Sequence, residues 1–98
     1  MITINFYTTL RLYLKMRELH FEPTQPLTPI LDVLKITEKM VVEQTAKPFL
    51  FKLLAEDGNI KRGTLILING RNILDTNGLD EVVNDGDTVA LFPPGGGG

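Results

Sequence analysis

The chain has 98 residues, 43% apolar and 22% charged, which is room for one folded domain with a single small core and excludes a disordered tail or a core plus a walled catalytic cleft. Ten basic residues against twelve acidic give a net charge of −2, without the concentrated basic face that nucleic-acid binding needs. There is no cysteine and one histidine, His20, so disulfides, thiolate metal sites and cysteine nucleophiles are excluded, and no apolar run approaches the roughly 18 residues of a membrane span. No secretory leader is visible at Met1-Ile2-Thr3, and a cytoplasmic location is the default expectation.

Ile2, Ile4 and Phe6 alternate with Thr3, Asn5 and Tyr7, the period of a half-buried strand. Leu10 to Leu14 fits either a helical turn or the start of a returning strand. Leu19 and Phe21 share one face of a second strand, Glu18 to Glu22, which Pro23 and Pro26 end. Thr28-Pro29 reads as a helix start, a hydroxyl cap followed by proline at the first helical position. The apolar stripe of Ile30, Leu31, Leu34 and Val41 predicts an amphipathic helix from about Thr28 to Thr45, stopped near Pro48.

Phe49 to Leu54 is apolar but too short to assign. Phe49, Phe51, Leu53 and Leu54 are expected to lie packed under the surrounding insertion, with a second contact surface as the alternative. Asp57-Gly58-Asn59 is a turn. Leu65 to Ile68 reads as a strand that Asn69-Gly70 closes with a hairpin turn. Asn77-Gly78 is another turn, and Asp85-Gly86-Asp87 turns the chain into a last strand, Thr88 to Phe92. That aspartate pair lacks the further ligands of a calcium loop. Pro93-Pro94 stops the strand, because proline cannot continue a ladder. Two strands, a helix and then further strands predict an α+β domain, a mixed four- to five-stranded sheet packed on one main helix.

The domain is expected to occupy residues 1–94, leaving 95–98 as a flexible tail of Gly95, Gly96, Gly97 and Gly98. Glycines make the tail thin enough for a narrow tunnel, and four residues reach about 13–14 Å beyond Pro94. If Ile2, Ile4, Phe6, Ile66, Ile68, Val89 and Leu91 face the helix, then Tyr7, Leu65, Leu67 and Phe92 face outward, an apolar patch beside the tail root.

Three stretches together carry a resemblance: Ile2 to Leu10-Arg11, Leu67-Ile68-Asn69-Gly70, and Asp85-Gly86-Asp87-Thr88-Val89 running into Phe92-Pro93-Pro94 and the terminal Gly97-Gly98. The chain resembles the β-grasp sulfur carriers of the MoaD/ThiS family, above all the branch that forms the small subunit of molybdopterin synthase. Gly95 and Gly96 stand where that family commonly has valine and a small residue, and the 42–61 stretch is longer than in its short members.

The resemblance implies a ubiquitin-like β-grasp and a non-catalytic carrier that binds no cofactor or metal. An E1-like adenylyltransferase would use ATP to adenylate the Gly98 carboxylate, with Gly97 beside it in the active site. A sulfur-donating persulfide protein would convert the adenylate to a thiocarboxylate. The tail would then enter the large subunit of molybdopterin synthase. Tyr7, Arg11, Leu65, Leu67, Phe92, Pro93, Pro94, Gly95 and Gly96 would contact these partners. Two relatives of this chemistry stand beside it: a sulfur donor for thiazole or tRNA thiolation, and a ubiquitin-like modifier joined to other proteins through Gly98. An inert interaction domain is the remaining reading.

Overall fold

The structure is a computed structural model, and it describes residues 1–95. The chain opens with β1 (Ile2–Phe6), α1 (Thr8–Leu14) and β2 (Glu18–Phe21), followed by β3 (Leu27–Pro29) and the long helix α2 (Ile30–Thr45). Further on come β4 (Leu65–Ile68), β5 (Arg71–Asn72), β6 (Val82–Asn84) and β7 (Thr88–Phe92). Among the described residues a five-stranded sheet runs in the order β2-β1-β7-β4-β5, and β3 pairs with β6 in a separate two-stranded ribbon. β1 and β7 are parallel neighbours, with Ile4 opposite Val89 and Phe6 opposite Leu91; the other pairs are antiparallel. The mixed α+β sheet expected from the sequence is therefore present, at the upper end of the expected strand count.

Alternation places one face of this sheet on α2. Ile2, Ile4, Phe6, Ile66, Val89 and Leu91 are buried against Ile30, Val33, Leu34 and Val41 of the helix, and Ile68 is half-buried. Leu10 and Leu14 of α1 close one end of this core, so Leu10 to Leu14 is helical, not a returning strand. Asn69 and Gly70 both take positive φ, +50° and +85°, as a tight hairpin between β4 and β5 requires. The Asn69 amide donates to Asp87 Oδ1 at 2.9 Å, and its Oδ1 accepts from the Thr88 N–H at 2.9 Å, so that hairpin is tied to the start of β7.

The start of α2 differs from the sequence expectation. Thr28 does not cap the helix: it is buried in β3, opposite Val83 of β6, and the capping position is Pro29 without a side-chain hydrogen bond. A tertiary contact does the capping work, since the Ile30 N–H donates to the Glu81 carbonyl at 2.7 Å.

The turn that supplies this carbonyl is held by the Glu81 carboxylate, whose Oε2 accepts from the Asn77 backbone N–H at 3.2 Å and from Asn77 Nδ2 at 3.1 Å. The Thr76 hydroxyl first, then the Asn77 and Val82 amides, keep this carboxyl below its ordinary value of 4.5. A carboxyl depressed in the folded state stabilises the fold above its unfolded value and loses that contribution as pH falls through the folded one. Stability should thus drop below about pH 4.5, and Glu81→Gln should flatten that part of the curve while lowering stability at neutral pH. Urea midpoints measured from pH 7 to pH 3 check this; parallel curves for the two proteins would contradict it.

Candidate functional site at the root of the C-terminal tail

β7 lies in the middle of the sheet, between β1 and β4, so the chain leaves the domain from a strand that is paired on both sides. Pro93 has no N–H to extend the ladder and is buried; Pro94 is half-buried and Gly95 exposed. Gly63 backs this exit. Its φ is +88°, and a Cβ built on it would sit 3.6 Å from the Pro94 Cα. The loop before β4 therefore supports the root from one side with bare backbone. Gly96, Gly97 and Gly98, the expected reacting end, lie outside the described residues.

Tyr7 follows β1 directly, and its N–H donates to the Leu91 carbonyl at 3.1 Å. The parallel register then sets the Tyr7 ring on the Phe92 ring, with centroids 4.4 Å apart and planes within 7°. Arg11 lies one turn into α1. Its Nε donates to the Phe6 carbonyl at 3.0 Å, and its guanidinium is 5.3 Å from the Tyr7 ring centre. This hydrogen bond holds Arg11 beside the Tyr7 ring, with its remaining donors available. On β4, Leu65 stands opposite Phe92 and is 41% exposed; Leu67, half-buried, stands opposite Ala90. The structure thus brings Tyr7, Leu65, Leu67 and Phe92 to the outer sheet face, with Arg11 beside Tyr7 and with Pro93, Pro94 and Gly95 continuing from Phe92.

What this arrangement can do is dock and present. A stacked aromatic pair flanked by leucines removes apolar area from water when a partner covers it, at about 25 cal/mol per Å². Among the described residues no group of three or more metal-ligating side chains occurs, and no helix is long and apolar enough to cross a membrane. A cavity of about 390 Å³ lies at the opposite end of β7, but the Asp87 and Glu81 carboxylates lining it are already bonded to Asn69, Asn77 and Asn84. Sequence reasoning did not single out Gly63, Tyr13 or Lys52 beside the root. The Arg62-Gly63-Thr64 step before a strand was the available signal for Gly63.

A mixed sheet on one long helix, with the chain's end leaving from the central strand, defines the protein as a ubiquitin-like β-grasp. The chain belongs to the ThiS family, which it matches over residues 6–98. It is 42% identical to small archaeal modifier protein 3 of Haloferax volcanii over 45 residues, 46% of this chain and 49% of that protein, so the match spans about half of its relative. The crystal structure of SAMP1, from the same organism, superposes with a TM-score of 0.76 at 22% identity, covering 99% of this chain and 98% of that one. A Pyrococcus furiosus protein named as subunit 1 of a molybdopterin converting factor superposes with a TM-score of 0.63 at 21% identity, covering 96% and 97%. The family and fold expected from the sequence are thus present.

Proposed function

We propose that this chain is a cytoplasmic sulfur carrier, the small non-catalytic subunit of a molybdopterin synthase serving molybdenum or tungsten cofactor synthesis. The observation that supports it is the Phe92-Pro93-Pro94 root on the central strand, stacked on Tyr7 and flanked by Leu65, ahead of the Gly97-Gly98 end. The domain is the handle and the final carbonyl carbon is the reacting atom.

A free carboxylate resists nucleophiles, so an E1-like adenylyltransferase first joins Gly98 to AMP, releasing pyrophosphate from ATP. The terminal sulfur of a persulfide on a second protein then bonds to the acyl carbon, and AMP leaves. A thiol cleaves the resulting sulfur–sulfur bond and leaves a thiocarboxylate. The tail next enters the large synthase subunit and gives its sulfur to the pterin precursor. ATP, acids and bases all belong to the partners; this chain binds no cofactor and no metal. Ordering the four glycines costs about 1–2 kcal/mol each, and burial of the Tyr7–Phe92–Leu65–Leu67 face offsets it.

The identity to a small archaeal modifier favours a second reading, in which Gly98 is joined to lysines of other proteins. Intact mass spectrometry of the protein from its native cell separates the two. The carrier reading expects a mass gain equal to one oxygen replaced by one sulfur at the terminus, and sulfur transfer to the pterin precursor when the large subunit is added. Higher-mass conjugates through Gly98 with no thiocarboxylate form would replace it with the modifier reading. A thiocarboxylate that fails to convert the precursor would move the acceptor to thiazole or tRNA.

A further inference from the structure

Beside the tail root the 46–63 stretch presents a second surface. Phe51 is 55% exposed, not packed under the insertion as its sequence suggests. It stands edge-on to Tyr13, with ring centroids 6.4 Å apart and planes at 86°. Lys52 Nζ is 4.3 Å from the centre of the Tyr13 ring and 5.4 Å from that of Phe51. Lys47 Nζ donates to the Tyr13 carbonyl at 2.9 Å and lies 5.5 Å from the same ring. The turn that carries these groups is held rigidly from inside: Glu38 Oε2 accepts the Phe49 N–H at 2.9 Å and the Leu50 N–H at 2.8 Å. A groove of about 260 Å³ joins this surface to the tail root, lined by Thr9, Phe51, Lys52, Lys61, Pro93 and Pro94.

The cations here lack anions. Among the described residues the ion pairs involve the Met1 amine and His20, and no lysine or arginine is paired with a carboxylate, although the chain has twelve acidic residues. Two nearby carboxylates are occupied elsewhere: Glu38 by backbone amides, and Asp57 by the Asn59 backbone and side-chain amides. Glu56 lines an adjoining groove that Phe51 and Lys61 share, yet it makes no ion pair with Lys61 or with any other cation among the described residues. Lysine ammonium groups resting on ring faces keep donors free for an incoming anion. An exposed aromatic ringed by unpaired cations is the pattern of an interface anchor with a charged rim.

We propose that Tyr13, Phe51, Lys47, Lys52 and Lys61 form a docking surface for a carboxylate-rich segment of the activating enzyme, at the rim of the opening that admits the tail. The inference rests on the carrier reading above and names the chemistry of its first partner. Complementary charge selects the occupant, and the shared groove with Pro93 and Pro94 places it where the tail enters. The apolar floor of Phe51 and the prolines suits the methylenes of glutamate and aspartate side chains better than a bare phosphate. The effect belongs in encounter, because rim charges steer association over about a screening length.

The test is ATP–pyrophosphate exchange catalysed by the E1-like adenylyltransferase of the source organism, with the full chain as the varied substrate. At low salt the Lys52→Gln, Lys61→Gln double variant should raise the KM for the chain about five- to ten-fold, the scale of two rim charge pairs, with kcat unchanged. The difference should shrink several-fold at 0.5 M salt, where screening falls well below about 10 Å. Lys52→Arg, Lys61→Arg should restore the KM, and Lys35→Gln, Lys39→Gln, an equal charge loss on α2, should leave it unchanged. A double variant that folds normally with wild-type KM and salt dependence overturns the proposal. So does an effect confined to the KM for ATP, which would assign the lysines to the nucleotide. No exchange with the wild-type chain would instead overturn the carrier reading itself.

Discussion

A chain ending at Gly97 is expected to lose sulfur loading while keeping its fold. The thermal midpoint should not move, because Gly98 has no side chain to pack and follows in sequence the Pro93-Pro94 pair that ends β7. Exchange with the activating enzyme should fall at least about 100-fold. The shortened tail leaves its carboxylate about 3.3–3.6 Å short of the nucleotide, and displacements of about 1 Å already cost that much in rate. Docking of the domain should persist, so the truncated chain should compete with the full one for the enzyme. Undiminished loading would mean that Gly98 is not the reacting end. An added residue, Gly98 followed by alanine, is the mirror test, since it moves a carboxylate past the reacting position by a similar distance.

The signals that located this end are strong because they are local. Proline cannot continue a ladder and glycine has no side chain, so Phe92-Pro93-Pro94 and the glycines could be read without any knowledge of the sheet. Period-two alternation did the same for β1 and β2, and short apolar runs bounded by turn or proline signals did it for β4 and β7. What stayed illegible depends on contacts distant in sequence. Thr28-Pro29 has the composition of a helix cap, yet pairing with Val83 makes it a strand, and the Glu81 carbonyl takes over the capping. The stacking of Tyr7 on Phe92 follows from the parallel register of β1 and β7, which no local pattern encodes. Between Phe49 and Leu53 a tight helical turn, not a helix or a strand, sorts the side chains. Neither period applies, and only the contacts decide that Phe49 and Leu53 go in while Phe51 stays out.

That sorting predicts a large asymmetry between two phenylalanines two positions apart. Phe49 is fully buried and meets Phe6 of β1 edge-on, with ring centroids 5.7 Å apart and planes at 80°. Replacing it with alanine removes a ring from the centre of the core and leaves a cavity, a loss of about 3–5 kcal/mol. A domain of this length has a total stability near the lower part of the usual range of about 5–15 kcal/mol, so the variant should sit close to its unfolding transition. Its thermal midpoint should fall by about 15–30 °C. Phe51→Ala should cost under about 1 kcal/mol, because Phe51 gives up an exposed edge contact with Tyr13 and little buried area. Phe49→Ala should also release the turn that Glu38 holds through the Phe49 and Leu50 amides, so protection of those two amides from hydrogen exchange should fall ahead of protection in β7. Equal midpoints for the two variants would show that the 48–54 stretch is not part of the core. The aromatic surface beside the tail would then lose its fixed support.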